Sequence, residues 1–300
     1  MQVRNGLRLS ISIMTILIAL GTLGGLTLLL AIMLMIANKK LYVYEDPRID
    51  QVENMLPHAN CGACGYPGCR PFAEAVVSGK ALPGKCTVSN EEARLEIANY
   101  LGVELGGEEK QVARLACAGG INVARNRATY KGLQSCKAAA LVSGGGKGCF
   151  WGCLGFGDCE VVCDFDAIHM DSFGLPVVDP EKCTACGDCV EVCPKDLFSL
   201  QPVNNKLWVA CKNLQEGDAV LEDCLVGCTA CGKCAMDAPG IISMQNNIPV
   251  IDYSKNGQSI EAIQRCPTGA IVWLNEDGTA TKGNESKKIV RKGKLDTAYT

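Results

Sequence analysis

Cys183-Thr-Ala-Cys186-Gly-Asp-Cys189-Val-Glu-Val-Cys193-Pro194 is the stretch on which the reading of this chain turns. Its two-residue spacers set three thiols in one tight loop, where they can wrap a single polynuclear centre. The longer last spacer and Pro194 send the fourth thiol toward a neighbouring centre. Soft thiolate donors at this spacing suit an iron–sulfur cubane, and four Cys followed by Pro make a poor zinc site. Composition agrees: 20 of 300 residues are Cys and only two, His58 and His169, are His, so metal is bound here through sulfur. A disulfide framework does not fit, because such frameworks belong to short secreted chains and these Cys cluster in C-x-x-C runs.

Upstream lies a partner half, Cys149-x3-Cys153-x5-Cys159-x3-Cys163, stretched by Gly152, Gly155 and Gly157. By the crossing rule of two-cluster bacterial ferredoxins, Cys149, Cys153, Cys159 and Cys193 hold one 4Fe-4S cluster, and Cys163, Cys183, Cys186 and Cys189 the other. Between the halves, Ala167-Ile168 to Val178-Asp179 reads as a hairpin around Ser172-Phe173-Gly174. A second unit repeats the plan with gaps. Cys228-x-x-Cys231-x-x-Cys234 is followed by Ala238-Pro239, a hairpin between Gly240 and Asp252, and Cys266-Pro267. Overlaying the units puts Asn256, Ser259 and Ala262 where Cys183, Cys186 and Cys189 stand. One cluster keeps all its ligands, Cys228, Cys231, Cys234 and Cys266, and the other keeps none, so this unit is expected to carry one cluster.

A fourth constellation, Cys61-x-x-Cys64-x4-Cys69-x16-Cys86, sits in a Gly/Pro-rich loop before a predicted helix from Pro71 to Val77, ended by Gly79. The capping box Ser89-x-x-Glu92 predicts a second helix up to Gly102. From spacing alone a structural zinc remains an alternative for these four. Sixteen Cys thus fill four clusters. Cys117, Cys136, Cys211 and Cys224 are far apart in sequence and read as buried thiols acting as small hydrophobes, although four are enough for a fifth cluster. Ser143–Gly148 reads as a flexible hinge. Its Gly144-Gly145-Gly146-Lys147-Gly148 run fails the phosphate-loop pattern, no G-x-G-x-x-G opens a helix, and no nucleophile–base pair stands out. The chain is therefore read as moving electrons, with no complete catalytic site of its own.

Leu9–Ala37 is uncharged and rich in Leu, Ile and Met, longer than the roughly 20 residues that span a bilayer, and lacks the features of a cleaved signal. It reads as a permanent single-pass anchor, in which Gly21 and Gly25 form a small-xxx-small pair. Arg4 and Arg8 before it balance Lys39 and Lys40 after it, so flanking charge does not orient it. The thiols do: reduced clusters belong on the cytoplasmic side of the inner membrane. The body of the chain is acidic, which argues against nucleic acid as a partner, and the end is basic and reads as a solvated tail. The expected organisation is α+β: a transmembrane anchor (1–40), a small helical 4Fe-4S domain (41–103), a connecting helical and loop segment (104–148), tandem bacterial-ferredoxin-like βαβ units (149–210 with two clusters, 211–275 with one) and the tail (276–300).

The order of anchor, CGACGYPGCRPFAEAVVSG with Cys86, GCLGFGDC and CTACGDCVEVCP closely resembles the B subunit of the Rnf complex, the ion-translocating ferredoxin:NAD oxidoreductase, over roughly residues 5–275. The segment from Ala116 to Cys136 is similar to the longer members of that family. The resemblance implies a 4Fe-4S cluster at Cys61, Cys64, Cys69 and Cys86 rather than zinc. It also implies soluble ferredoxin as donor, membrane, flavin and NAD-binding subunits as partners, membrane lipid around the anchor, and coupling to export of sodium or protons. The emptied cluster position in the last unit departs from the pattern. A membrane-bound polyferredoxin that serves a different oxidoreductase, or reduces a redox-sensing regulator, is the alternative.

Overall fold

The computed structural model describes residues 2–41, 45–107, 109–255 and 257–289. Asn256 and the tail beyond Ile289 lie outside the described residues. The chain divides into two units, residues 1–51 and 52–300. The first is dominated by helix α1 (Gln2–Leu41). Within it Leu20–Leu41, 22 residues, is long and apolar enough to cross a membrane. Leu20, Leu28, Leu29 and Leu30 lie on all sides of this stretch and are all exposed, the signature of a helix whose solvent is lipid. Helix α2 (Pro47–Met55) follows; Asp46 accepts from the Arg48 backbone N–H at 2.9 Å, in the first turn, where helix N–H groups lack partners.

In the second unit the small helical domain holds α3 (Cys69–Val77) and α4 (Glu91–Leu101). Phe72, Val76 and Ile97 are its largest fully buried apolar side chains besides Val52. Asn90, not Ser89, caps α4: its side chain accepts from Ala93 N. Ser89 is unavailable because its hydroxyl donates to Cys86 Sγ at 3.2 Å. Gly102 closes the helix in the left-handed conformation, as its lack of Cβ permits.

Two ferredoxin-like units follow. The first starts earlier than the Cys spacing implies: β1 (Gln111–Leu115), inside the segment read as a connector, pairs antiparallel with the closing strand β4 (Phe198–Pro202). Between them come α5 (Cys136–Leu141), α6 (Asp158–Val161), the hairpin β2 (Ile168–Met170) and β3 (Pro176–Val178), and α7 (Asp188–Val192). The second unit repeats this with β5 (Leu207–Val209), α8 (Ala219–Asp223), α9 (Lys233–Asp237), the hairpin β6 (Ile242–Gln245) and β7 (Ile248–Ile251), α10 (Glu261–Gln264) and β8 (Ile271–Leu274). Strands β5 and β8 pair antiparallel as β1 and β4 do.

Where the second unit has no Cys, packing takes over. Leu207, Ala262, Ile263 and Ile271 are fully buried, with Ala238 against them. Tyr253 Oη donates to Leu207 O at 2.7 Å, and Gln258 Oε1 accepts from Leu207 N at 3.0 Å. The described part of the basic tail is not a free extension. Strand β9 (Ala280–Lys282) adds to β8, and Ile289 packs on Val123, Ala124, Cys224 and Val226.

Candidate iron–sulfur centres

Near the start of the second unit, Gly62 and Gly65 take φ of +73° and +79°, which let the Cys61–Cys64 loop turn tightly. Asn60 fastens the loop's end by accepting from Cys69 N at 2.8 Å, and Arg70 of α3 pairs with Glu53 at 2.7 Å. Cys61, Cys64 and Cys86 lie within electrostatic reach of one another; burial pushes the Cys64 thiol up, and Cys86 and Cys61 add to the effect. Cys69 opens α3 at the end of the same loop.

Cys163, Cys183, Cys186 and Cys189 line one hollow of about 320 Å³, walled by Ile168, Phe165 and Leu200. Backbone N–H groups aim at its sulfurs: Ala113 N donates to Cys183 Sγ at 3.5 Å and Ala167 N to Cys163 Sγ at 3.4 Å. Burial and the adjacent thiols push Cys189 up to about 12. Cys228, Cys231, Cys234 and Cys266 line a second hollow of about 340 Å³ against Pro249 and Ile271. Both loops read Cys-Thr-Ala-Cys-Gly, and Ala185 and Ala230 adopt φ of +59° and +57°, where a Cβ is strained. Such strain is kept where a loop must wrap a ligand.

The remaining expected set is divided. Cys159 and Cys193 stay together with Cys136 beside them, and Cys153 reaches this group through Cys136 while lying nearer to Cys117. Burial and then Cys136 push Cys159 up to about 12, and Cys193 reaches both. Asp158, next to Cys159, holds Cys136 in place. Its carboxylate accepts from Cys136 N at 2.9 Å, Lys137 N at 3.1 Å and Ser135 Oγ at 2.9 Å. Burial works against this carboxylate, yet these bonds hold it below the usual carboxylate range. Cys149 departs from the expected set. The chain reverses after it, with Gly152 N bonded to Cys149 O at 3.1 Å. Cys149 therefore faces another hollow, of about 360 Å³, shared with Cys117, Cys211 and Cys224.

These sites fit a polynuclear iron–sulfur group. Each of the three hollows has four thiols as donors and walls that are mainly apolar, and N–H groups point at sulfurs as they do around cluster thiolates. The Gly144–Gly148 run is pinned rather than hinged. Lys147 is buried, its Nζ donating to Gly119 O and, at 2.6 Å, to Cys153 O. His58 is an exposed loop residue. Sequence reasoning passed over Asn60 and Asp158, and gave Ser89 a capping role and Lys147 a place in a hinge. For Lys147 no local signal marks its contacts, because its partners Gly119 and Cys153 are brought in by tertiary contact.

Comparison with known proteins agrees with this reading. A family model for an Fe–S cluster matches residues 56–88, and a 4Fe-4S dicluster domain matches residues 151–198. The chain is 43% identical, over 89% of its length and 80% of the relative's, to the B subunit of the Na(+)-translocating ferredoxin:NAD(+) oxidoreductase complex of Acetobacterium woodii. It is 39% identical, over 86% of its length and 92% of the relative's, to the B subunit of the proton-translocating ferredoxin:NAD(+) oxidoreductase complex of Clostridium ljungdahlii. The B subunit of the ion-translocating oxidoreductase complex of Methanosarcina acetivorans is 35% identical over 84% of the chain and 96% of that relative. With its thiol-lined hollows and apolar helix, the molecule is a membrane-associated 4Fe-4S electron-transfer protein. The chain belongs to the family of B subunits of the ion-translocating oxidoreductase, or Rnf, complexes.

Proposed function

We propose that this chain relays electrons from reduced soluble ferredoxin to the membrane and flavin subunits of an Rnf complex whose final acceptor is NAD. The ligand sets are Cys61, Cys64, Cys69 and Cys86; Cys163, Cys183, Cys186 and Cys189; Cys228, Cys231, Cys234 and Cys266; and a set built on Cys153, Cys159 and Cys193. Bound there, 4Fe-4S clusters supply one-electron uptake and release at potentials set by charge, burial and hydrogen bonds to sulfur. The protein's residues hold the thiols, exclude water with apolar walls and aim N–H groups at the sulfurs. Hydride chemistry is left to the NAD-binding subunit, and α1 holds the chain in the inner membrane with its thiols in the reducing cytoplasm.

The observation that carries the reading is contact between successive sites. Thr87, next to Cys86, donates its hydroxyl at 2.6 Å to the carbonyl of Thr184, inside the Cys183–Cys186 loop. Cys159 and Cys189, from the two sets of the first ferredoxin-like unit, share one buried core. In this arrangement the ferredoxin-like units are the entry side and the Cys61–Cys86 loop, the set nearest the anchor in sequence, is the exit. Ferredoxin-driven NAD reduction by membranes tests it. Cys61→Ala abolishes the activity while the complex stays assembled; unchanged activity in an assembled Cys61→Ala complex refutes the exit role.

A further inference from the structure

The two ferredoxin-like units meet around a pseudo-twofold arrangement of Cys that neither unit's own cluster set uses. Strands β1 and β5 open the two units, and each is followed by Ala and then Cys: Ala116-Cys117 and Ala210-Cys211. The geometry repeats as well. Ala116 N donates to Leu197 O, just before β4, and Ala210 N to Ala270 O, just before β8, both at 2.8 Å. Each sulfur then accepts two backbone N–H groups at matching positions. Cys117 Sγ takes Gly119 N at 3.4 Å and Cys153 N at 3.5 Å; Cys211 Sγ takes Asn213 N at 3.5 Å and Cys228 N at 3.3 Å. The other two Cys come from a second repeat, Cys149-Phe-Trp-Gly-Cys153 and Cys224-Leu-Val-Gly-Cys228. A polar side chain only 1% exposed, Asn213, aims its Nδ2 at Cys149 Sγ at 3.7 Å.

These four thiols enclose a hollow of about 360 Å³, close in size to the 320 and 340 Å³ hollows of the ferredoxin-type sets. Gly119 lies against it so closely that a Cβ there would stand 3.2 Å from Cys224 Sγ. Four sulfurs facing one space under inward N–H groups are a ligand set rather than core filling, because isolated buried thiols have no reason to share donors and a cavity.

We propose that Cys117, Cys149, Cys211 and Cys224 ligate a fifth 4Fe-4S cluster at the junction of the two ferredoxin-like units, and that Cys136 completes the Cys153, Cys159 and Cys193 set in place of Cys149. On ligation each thiol gives up its proton and binds one iron of a preassembled cluster. The site joins two others directly, since Cys153 N of one set donates to Cys117 Sγ and Cys228 N of another to Cys211 Sγ. It therefore closes the path between the last unit and the rest. The proposal rests on the relay reading only for what the cluster does, not for its presence.

The test is iron and acid-labile sulfide per chain on the anaerobically purified full-length protein, with EPR of the dithionite-reduced sample. About twenty irons and twenty sulfides are expected, five cubanes of four; about sixteen of each overturns the fifth site. Single Ser variants then assign the ligands. Cys149→Ser and Cys224→Ser remove the same EPR component, whereas Cys136→Ser and Cys159→Ser remove a different one together. If Cys149→Ser instead matches Cys159→Ser, the partition is wrong. Cys231→Ser, in a separate set, is the control for folding and loses its own component alone. Ferredoxin-driven reduction of the wild type separates the two readings. Twenty irons without reduction by ferredoxin refutes the relay and leaves the site, while sixteen with reduction does the reverse.

Discussion

Replacing Lys147 by Met removes a cation that the structure buries between two sets of thiols. Lys147 is 9% exposed, lines the hollow of Cys117, Cys149, Cys211 and Cys224, and donates to Cys153 O at 2.6 Å. Its charge opposes the rise of both the Cys149 and Cys153 thiols, so it reaches both sets. A unit charge on the order of 6 Å away, at an effective dielectric of about 20, is worth about 3 kcal/mol. For a one-electron couple this corresponds to a fall of about 130 mV in the potential of the nearest cluster. Losing the ammonium also leaves the carbonyls of Gly119 and Cys153 without this donor, about 1–3 kcal/mol each if water does not replace it. EPR-monitored redox titration of the purified protein reads the first effect and the thermal bleaching midpoint reads the second. Lys147→Arg, which keeps the charge, restores most of the potential even where packing suffers. A Lys147→Met protein whose cluster potentials all stay within about 20 mV of wild type refutes the electrostatic role.

Ser89→Ala deletes the 3.2 Å hydroxyl bond to Cys86 Sγ. A net loss of about 1 kcal/mol at a cluster thiolate lowers that potential by about 40 mV, read in the same titration; an unchanged value denies the hydroxyl a tuning role. Ile263→Ala empties the 0%-exposed centre of the core that occupies the cluster-free lobe of the second unit. The expected cost is about 3 kcal/mol, seen as an earlier thermal bleaching of the Cys228–Cys266 set, and a midpoint equal to wild type would show that this lobe is not packed as described.

The chemistry of this protein was legible in its sequence wherever ligands are close neighbours in the chain. C-x-x-C spacing is a local constraint: two intervening residues let one loop present its thiols to one centre, whatever the rest of the fold does. For that reason Cys183, Cys186 and Cys189, and Cys228, Cys231 and Cys234, line their hollows as the spacing requires. The apolar run of α1 and the two hairpins were equally local, each set by hydrophobicity over a continuous stretch. The absence of Cys at 238, 256, 259 and 262 can likewise be read directly from the sequence.

Tertiary structure decided the rest, for the opposite physical reason. Cys117 and Cys211 meet only because β1 pairs with β4 and β5 with β8, bringing the starts of two units against each other, with Trp208 Nε1 donating to Leu115 O at 2.9 Å. Cys136 takes its place through Asp158, whose carboxylate captures an amide more than twenty residues away. The placement of Cys149 beside Cys117, Cys211 and Cys224 likewise depends on a local reversal at Gly152 that spacing does not reveal. Spacing fixes which thiols leave a loop together; only the packing of strands and loops against one another fixes which of those that arrive singly share a centre.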